Sequence, residues 1–376
     1  MRHRVVLGLA FGDEGKGVTT QWLCQQALNH GRKPMVVRFN GGAQAAHTIV
    51  LHGEEHICST YGSGVLLGVP TFLDKHFFFD PICAFNEYRT LTEKKPLLHI
   101  HPDCRVVTPY DVLAGRCNQK VLRDGSCGKG IFQTFKRYES QTFDHLLSPI
   151  KEDKLFHCLE QVRAYYGMEP EPELEAMFLE ALRELPFMVV HDQKALPYDE
   201  LVFEGAQGLL LDMDYGFFPH VTPSHTGLDN LTETNLYQAD VYLVTRTYTT
   251  RHGNGYEPVY PLSWNLSGKR ESNVENLYQG RFKTGPLDVD LLYKAVQRHH
   301  LDVWQRKHKL QYHLMVTHGD LVLQNGYMDY VFQGKLHRVA VQDLSGLKNL
   351  FTTLMEDAGI RFQSIKVNDS VGSRYQ

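Results

Sequence analysis

The stretch Ala10-Phe11-Gly12-Asp13-Glu14-Gly15-Lys16-Gly17 most constrains what this chain can become. Arg4 to Leu9 reads RVVLGL, an apolar run of the kind buried in a parallel sheet, and Val18 to Asn29 continues with helical character. A glycine-rich turn between a strand and a helix aims backbone N–H groups and a helix N-terminus at one point, where a phosphate is stabilised without a dedicated side chain. Lys16 adds a full positive charge there. Against the phosphate-loop pattern G-x-x-x-x-G-K-[ST] the stretch departs twice, with Ala10 at the first glycine and Gly17 at the hydroxyl position. That hydroxyl normally helps hold Mg2+. In its place the carboxylates of Asp13 and Glu14 sit inside the loop, where phosphate repulsion disfavours acids unless a metal or a proton-transfer step uses them. The alternative is an ordinary solvated turn, and the flanking strand and helix weigh against it.

The chain has 376 residues, 42% of them apolar and 22% charged, enough for a large core in one α/β domain or two lobes. A net charge of −4 without a long basic run gives no electrostatic case for nucleic acid. No stretch reads as a membrane span or a signal peptide. Seven scattered cysteines without a C-x-x-C imply neither a disulfide frame nor a zinc site, so a reducing cytosol is the default. Twenty histidines include no H-E-x-x-H pair, and most are expected at the surface.

Three further stretches carry chemistry. In MVVRFNGGAQAAHTIV, Met35 to Val50, a strand runs into two glycines and small residues that let backbone approach something closely before His47. A histidine there suits proton transfer or stabilisation of developing charge; taken singly it is more often structural, but its place at the carboxyl end of a parallel sheet, where ligands bind, raises the functional reading. Gly125 to Gly130, GSCGKG, is a second donor-rich loop able to wrap a phosphate, with Lys136 and Arg137 following on an expected helix; a plain surface loop is the alternative. Leu201 to Phe203 leads to Glu204-Gly205-Ala206-Gln207-Gly208, a tight turn at a strand end whose glutamine can donate and accept at once, as a purine 6-oxo edge requires. For Gln207 a core-structural role stays equally open. Thr222 and Ser224 then offer hydroxyls at a turn, and Asp240 to Val244 is a strand followed by Arg246, Thr249, Thr250 and Arg251, a set suited to carboxylate or phosphate recognition. Residues 149–185 are charged with helical spacing and read as scaffold.

Taken together, GDEGKG at Gly12 to Gly17 and RFNGGAQAAHT at Arg38 to Thr48 strongly resemble adenylosuccinate synthetase. GSCGKG, FEGAQGLLLDMDYG at Phe203 to Gly216, TRTYTTRHGNG at Thr245 to Gly255 and FKTGPLD at Phe282 to Asp288 agree in order, so the resemblance spans nearly the whole chain. It implies a single α/β domain over 1–376, built on a mostly parallel central sheet with a P-loop-like first turn and helical insertions. It also implies a cytoplasmic, homodimeric ligase that joins L-aspartate to C6 of IMP, with GTP or ATP as phosphate donor and Mg2+ as cofactor. Asp13, His47 and Lys16 are then catalytic, and Asp13 with the Ala46 carbonyl holds the metal. Gly12, Glu14, Gly15, Gly17, His318, Asp320 and Ser373 contact the nucleotide. Gln44, Ser126, Cys127, Gln207 and Thr222 contact the purine monophosphate, and Arg281, Lys283 and Arg251 the aspartate.

The departures lie at recognisable places. Gln44 stands where the family usually has an asparagine and Ala46 where it has a glycine, while Arg281 and Lys283 are what remains of an arginine cluster. The family's T-K-L-D is here Thr317-His318-Gly319-Asp320, which leaves the choice of base open. Several of these features lean toward compact phage synthetases that act on dGMP to make a 2-aminoadenine precursor, although Asp13, commonly lost there, is kept. A catalytically silent nucleotide-binding paralogue or switch is the competing class.

Overall fold

The computed structural model describes residues 1–91, 95–117, 128–140, 152–234, 238–264, 266 and 280–368. Ser126, Cys127 and Ser373 lie outside these residues. Nine strands form the central sheet: β1 (Arg2–Gly8), β2 (Pro34–Arg38), β3 (Thr71–Leu73), β4 (Leu98–Ile100), β5 (Phe187–Val189), β6 (Glu200–Gly208), β7 (Gln238–Arg246), β8 (Lys309–Thr317) and β9 (Ser364–Val367). They stand in the order β9-β8-β7-β1-β6-β2-β3-β4-β5, and every pairing is parallel. This matches the expected α/β class. Val5, Val6 and Leu7 of β1 are all fully buried, as a strand covered on both faces requires. A second, four-stranded sheet joins Tyr248–His252, Phe282–Asp288, Tyr327–Phe332 and Lys335–Ala340.

Helix α1 (Lys16–Asn29) follows the first turn directly, beginning two residues earlier than expected. It buries Val18, Leu23 and Cys24 against Val6 of β1, Val36 of β2 and Val202 of β6. From β2 the chain steps outward to β5 and then returns to insert β6 between β1 and β2, before crossing to β7 on the other side. That reversal puts the carboxyl ends of β1, β6 and β2 beside one another, the place where open parallel sheets bind ligands.

The excursion between β4 and β5 carries the helices Pro109–Cys117, Ile131–Ser140, Glu152–Tyr166 and Pro172–Glu184. The last two occupy most of the segment expected to be helical scaffold, and Phe178, Leu179 and Ala181 are buried there. Arg137 is bound within the helices of this excursion. Its Nε and Nη2 each lie 2.9 Å from the two oxygens of Asp111, which also accepts from Tyr166 Oη at 2.8 Å. Both members of the pair are wholly buried, so they join three helices through one ionic contact. Among the described residues six cysteines are free thiols, and no helix is long and apolar enough to cross a membrane. Among the described histidines, His47, His56, His99 and His299 are buried.

Beyond β6 the chain is held by Asp212, which accepts from the N–H groups of Asp214 at 2.9 Å, Tyr215 at 3.2 Å and Thr226 at 2.6 Å. His225 Nδ1 lies 3.6 Å from Asp212, a charge contact rather than a hydrogen bond. Burial alone would raise the Asp212 pKa, but the imidazole and these N–H groups outweigh it and hold the carboxyl at about 2. The same carboxylate raises the His225 pKa. This clamp shapes the turn that carries Thr222.

Arg137→Ala leaves Asp111 as an uncompensated buried charge and should lower stability by about 3–5 kcal/mol in urea denaturation. For Asp212→Asn the sign is set by both partners. The depressed Asp212 pKa contributes stability that is lost as pH falls from about 4 toward 2, and the raised His225 pKa contributes stability present below about 6.5 and lost as pH rises through its folded value. The stability lost in Asp212→Asn, followed by thermal melts across pH, should therefore be largest between about pH 4 and 6.5.

Candidate active site

The first loop is closed on itself by its own charges. The Glu14 carboxylate accepts from the N–H groups of Ala10 at 3.1 Å and Gly12 at 2.7 Å, and pairs with Lys16 Nζ at 3.2 Å. Lys16 also donates to the Gly12 carbonyl at 2.7 Å. Both side chains are buried. The two acids of the loop are thereby separated in role: Glu14 turns inward, while Asp13 belongs to the other rim. The main-chain carbonyl of Asp13 accepts from Arg246 Nε, and Arg246 Nη1 donates to Tyr248 Oη at 2.6 Å. Burial lowers the Arg251 pKa to about 10, with the charge of Asp13 acting against that shift. Arg251 lies over the Phe11 ring and donates to the Asn254 carbonyl at 2.6 and 2.9 Å.

Gly17 explains its own departure from the phosphate-loop pattern. A Cβ there would stand 2.8 Å from His47 Cβ and 3.0 Å from Ser63 Oγ, so a serine or threonine would force His47 away. The histidine takes the space of the missing hydroxyl. His47 opens the strand His47–Leu51, and its Nδ1 donates to Glu204 Oε1 at 2.7 Å. Its Nε2 is buried and has no hydrogen-bond partner. Burial lowers the His47 pKa, although Glu204 pulls the other way. Glu204 is fully buried too, yet His47, Arg38 and Ser63 together overcome that burial and keep its pKa below the ordinary value.

Of the candidates for the purine, Gln207 stands against the first loop. Gln207 adopts a left-handed backbone with φ of 60°, unusual for a non-glycine residue and a strain often found at working sites. A Cβ at Gly12 would lie 3.2 Å from Gln207 Oε1, so the amide sits against the phosphate loop. Asn40 fixes this turn: its Oδ1 accepts from the Ala206 N–H at 2.7 Å and its Nδ2 donates to the His225 carbonyl at 2.9 Å. Both polar atoms of the Gln44 carboxamide are buried without a hydrogen-bond partner. Thr222 is half-buried, and its N–H donates to the Leu211 carbonyl at 2.8 Å.

On the other side, β8 reaches the loop through Thr317, whose Oγ1 donates to the Glu14 carbonyl at 2.7 Å. His318 follows in a left-handed conformation, its Nδ1 2.9 Å from Thr317 Oγ1, and Asp320 lies in the first turn of the helix Gly319–Asn325. The aspartate candidates are less gathered. Lys283 is paired with Glu257 at 2.5 Å and Arg281 is exposed, while Arg251 alone lies beside Asp13.

Sequence reasoning missed Glu204, Ser63 and Asn40 as site-building residues, while Arg246, expected at a carboxylate- or phosphate-recognising loop, is found bound to the Asp13 carbonyl. Glu204 did carry a signal, an acid closing a buried apolar strand just before the GAQG turn. For a metal, Asp13 and the Ala46 carbonyl are hard oxygen donors of the kind Mg2+ takes. A different group, His56, Cys58 and Glu87, has its donor atoms within 4.8 Å of one another. There the Glu87 carboxylate is already committed to the N–H groups of Ser59, Thr60 and Tyr61, so the cluster is a clamp on that turn.

Comparison with known proteins agrees with this geometry. The family profile described as adenylosuccinate synthetase matches residues 5–297. The adenylosuccinate synthetase of Pseudomonas fluorescens strain SBW25 is 32% identical over 285 residues, covering 68% of this chain and 65% of that protein. That of Chromohalobacter salexigens is 31% identical over 286 residues, covering 68% and 64%. The matched part of the chain thus spans about 65% of the length of such a curated relative. Fully ligated adenylosuccinate synthetase from Plasmodium falciparum has the same fold, with a TM-score of 0.76 at 16% identity over 98% of each chain. So does the cyanophage S-2L succinoaminodeoxyadenylate synthetase PurZ, solved with dGMP and with dATP as an energy donor, with a TM-score of 0.63 at 16% identity over 98% of this chain and 93% of that one. With a profile matched across most of its length and relatives above 30% identity, the chain belongs to the adenylosuccinate synthetase family.

Proposed function

We propose that this chain is a carbon–nitrogen ligase that joins L-aspartate to C6 of a 6-oxopurine nucleoside monophosphate, with IMP as the leading substrate and GTP or ATP as phosphate donor. The observation that carries this reading is the contact between Gln207 and Gly12. A group able to read a purine 6-oxo edge stands directly against a loop built to hold a transferable phosphate. A reaction that phosphorylates O6 needs that adjacency.

Asp13 removes the N1 proton as O6 attacks the γ-phosphorus, so negative charge moves onto the transferred phosphoryl group and the leaving diphosphate. Lys16, and His47 once its Nε2 is protonated, stabilise that charge. For Lys16 to do so, the incoming phosphates must take over its contact with Glu14. The amine of aspartate then adds at C6 and phosphate leaves, a far better leaving group than the original oxygen. Mg2+, when held by Asp13 and the Ala46 carbonyl, supplies charge neutralisation on the phosphate oxygens.

Gly12, Gly15 and Gly17 shape the nucleotide loop, and His318, Asp320 and Ser373 serve the donor base. Gln44, Ser126, Cys127 and Thr222 serve the purine monophosphate. Arg251, Arg281 and Lys283 serve the aspartate carboxylates, with Lys283 exchanging Glu257 for the ligand. Residues 1–376 act as one domain in a cytoplasmic homodimer, with 149–185 as its helical insertion. A second reading, dGMP as substrate, is favoured by Gln44, whose buried and unpartnered Oε1 can accept from a 2-amino group.

Incubation with IMP, L-aspartate, Mg2+ and GTP should yield adenylosuccinate; nucleotide hydrolysis without aspartate consumption would make the chain a switch or a silent paralogue. Comparing kcat/KM for IMP, dIMP, GMP and dGMP, with each donor, decides the substrate. A pocket without an acceptor for the 2-amino group should disfavour GMP and dGMP by about 1–3 kcal/mol, roughly ten- to a hundred-fold. Preference for dGMP would instead assign a 2-aminoadenylosuccinate-type synthetase. Asp13→Asn and His47→Asn should each lower kcat by about 10² or more, with nucleotide binding measured separately and largely kept in His47→Asn. Near-full turnover in His47→Asn would return His47 to a structural role.

A further inference from the structure

We infer that Glu204 and Ser63 are positioning residues that lock His47 as the Nδ1–H tautomer and turn its Nε2 toward the phosphate loop. The inference rests on the catalytic reading of His47 but has its own observable. Glu204, wholly buried on β6, presents Oε1 to His47 Nδ1 at 2.7 Å and to the Ser63 hydroxyl, and Oε2 to the Ser63 N–H at 2.9 Å. An ionised carboxylate has no proton to offer, so Nδ1 must be the donor and Nε2 the free nitrogen. Ser63 supplies two donors from one residue, which stops the carboxylate from rotating away.

The surroundings hold all three groups still. Arg38, also wholly buried, donates to the Tyr61 carbonyl at 3.1 Å and to the Ala45 carbonyl at 3.3 Å, tying the Ser63 turn to the His47 turn. Its charge favours the ionised form of Glu204. The Ser63 turn is pinned from behind by Glu87, which accepts from the N–H groups of Ser59 at 3.0 Å and Thr60 at 2.7 Å. Gly62 N–H donates to Thr71 Oγ1 at 2.9 Å. Gly17 abuts the His47 Cβ and the Ser63 hydroxyl, where any side chain would crowd them. A purely structural trio would be expected to satisfy every buried polar atom, whereas here Nε2 is buried and left without a partner. Nε2 is therefore free to take up a proton, and as the imidazolium that Glu204 supports it would donate to an oxygen of the transferring phosphoryl group.

The first test uses the unmodified full-length protein. In 15N-histidine NMR, with the His47 signal identified by its loss in His47→Asn, the spectrum should report a protonated Nδ1 and an unprotonated Nε2. The second uses Glu204→Gln, which keeps the shape but can present its amide the wrong way round. It should lower kcat about 10- to 100-fold while KM for each nucleotide changes by less than about threefold, and it should mix the two tautomers. A wild-type spectrum with the proton on Nε2, or a Glu204→Gln enzyme with kcat within about twofold of wild type, overturns the inference. Should Glu204→Gln fail to fold, the wild-type tautomer still decides. If the wild-type chain forms no adenylosuccinate, the functional reading fails while the tautomer answers this question independently.

Discussion

The site depends on how closely three strand-end turns approach one another. Inserting β6 between β1 and β2 forces the turns after each strand into the same small volume, and side chains there would collide. A Cβ at Gly208 would stand 2.3 Å from the Ala10 carbonyl oxygen, and one at Gly41 would stand 2.3 Å from Ala206 Cβ. Because Gly208 meets the Ala10 backbone and Gly41 meets Ala206 with no room for a side chain between, the phosphate loop, the turn before His47 and the Gln207 turn pack as one unit. Asn40 completes it by bonding the Ala206 N–H and the His225 carbonyl at once. Positional tolerance in phosphoryl transfer is small, so the close packing of this unit is what lets a few side chains act together.

Charge within the unit is balanced locally rather than by solvent. Lys16 is neutralised by Glu14, and Arg38 with His47 stands against Glu204, each pair deeply buried. In a low-dielectric setting such balance is necessary, since one uncompensated charge would be costly. It also means that an arriving polyphosphate competes with Glu14 for Lys16 and for the loop amides. Binding and rearrangement of the loop are therefore coupled in this architecture. Arg246 limits that rearrangement by gripping the Asp13 carbonyl, which keeps the other rim of the loop in place.

Much of this was legible in the sequence where the governing interactions are local. The apolar run before the first turn became β1, and the helix after it became α1, because pattern and loop chemistry agree within about thirty residues. The helix Pro172–Glu184 was readable for the same reason. What could not be read depends on contacts distant in the chain. Glu204 meets His47 across 157 positions, and nothing near either residue announces the other. Arg137 reads only as a basic residue following a glycine loop on a helix, and its pairing with Asp111, 26 residues earlier, has no local signal. The left-handed backbone of Gln207 likewise has no local signature, since it is imposed by packing against the first loop.

The oddest feature of the sequence, a phosphate loop without its hydroxyl, becomes coherent in three dimensions. The hydroxyl of an ordinary loop serves a metal from within the helix N-terminus, and here a bulky side chain at that position would strike His47 and Ser63. Glycine at position 17 exchanges one metal-facing oxygen for a buried imidazole held by a carboxylate. On the proposed reading metal ligation comes from elsewhere, and Asp13, four residues earlier in the same loop, is the acid that would take it over. On that reading the two departures from the pattern, a glycine where a hydroxyl stands and acids where phosphates approach, are a single substitution of chemistry: one oxygen donor would replace another, with space released for the buried His47 beside the loop.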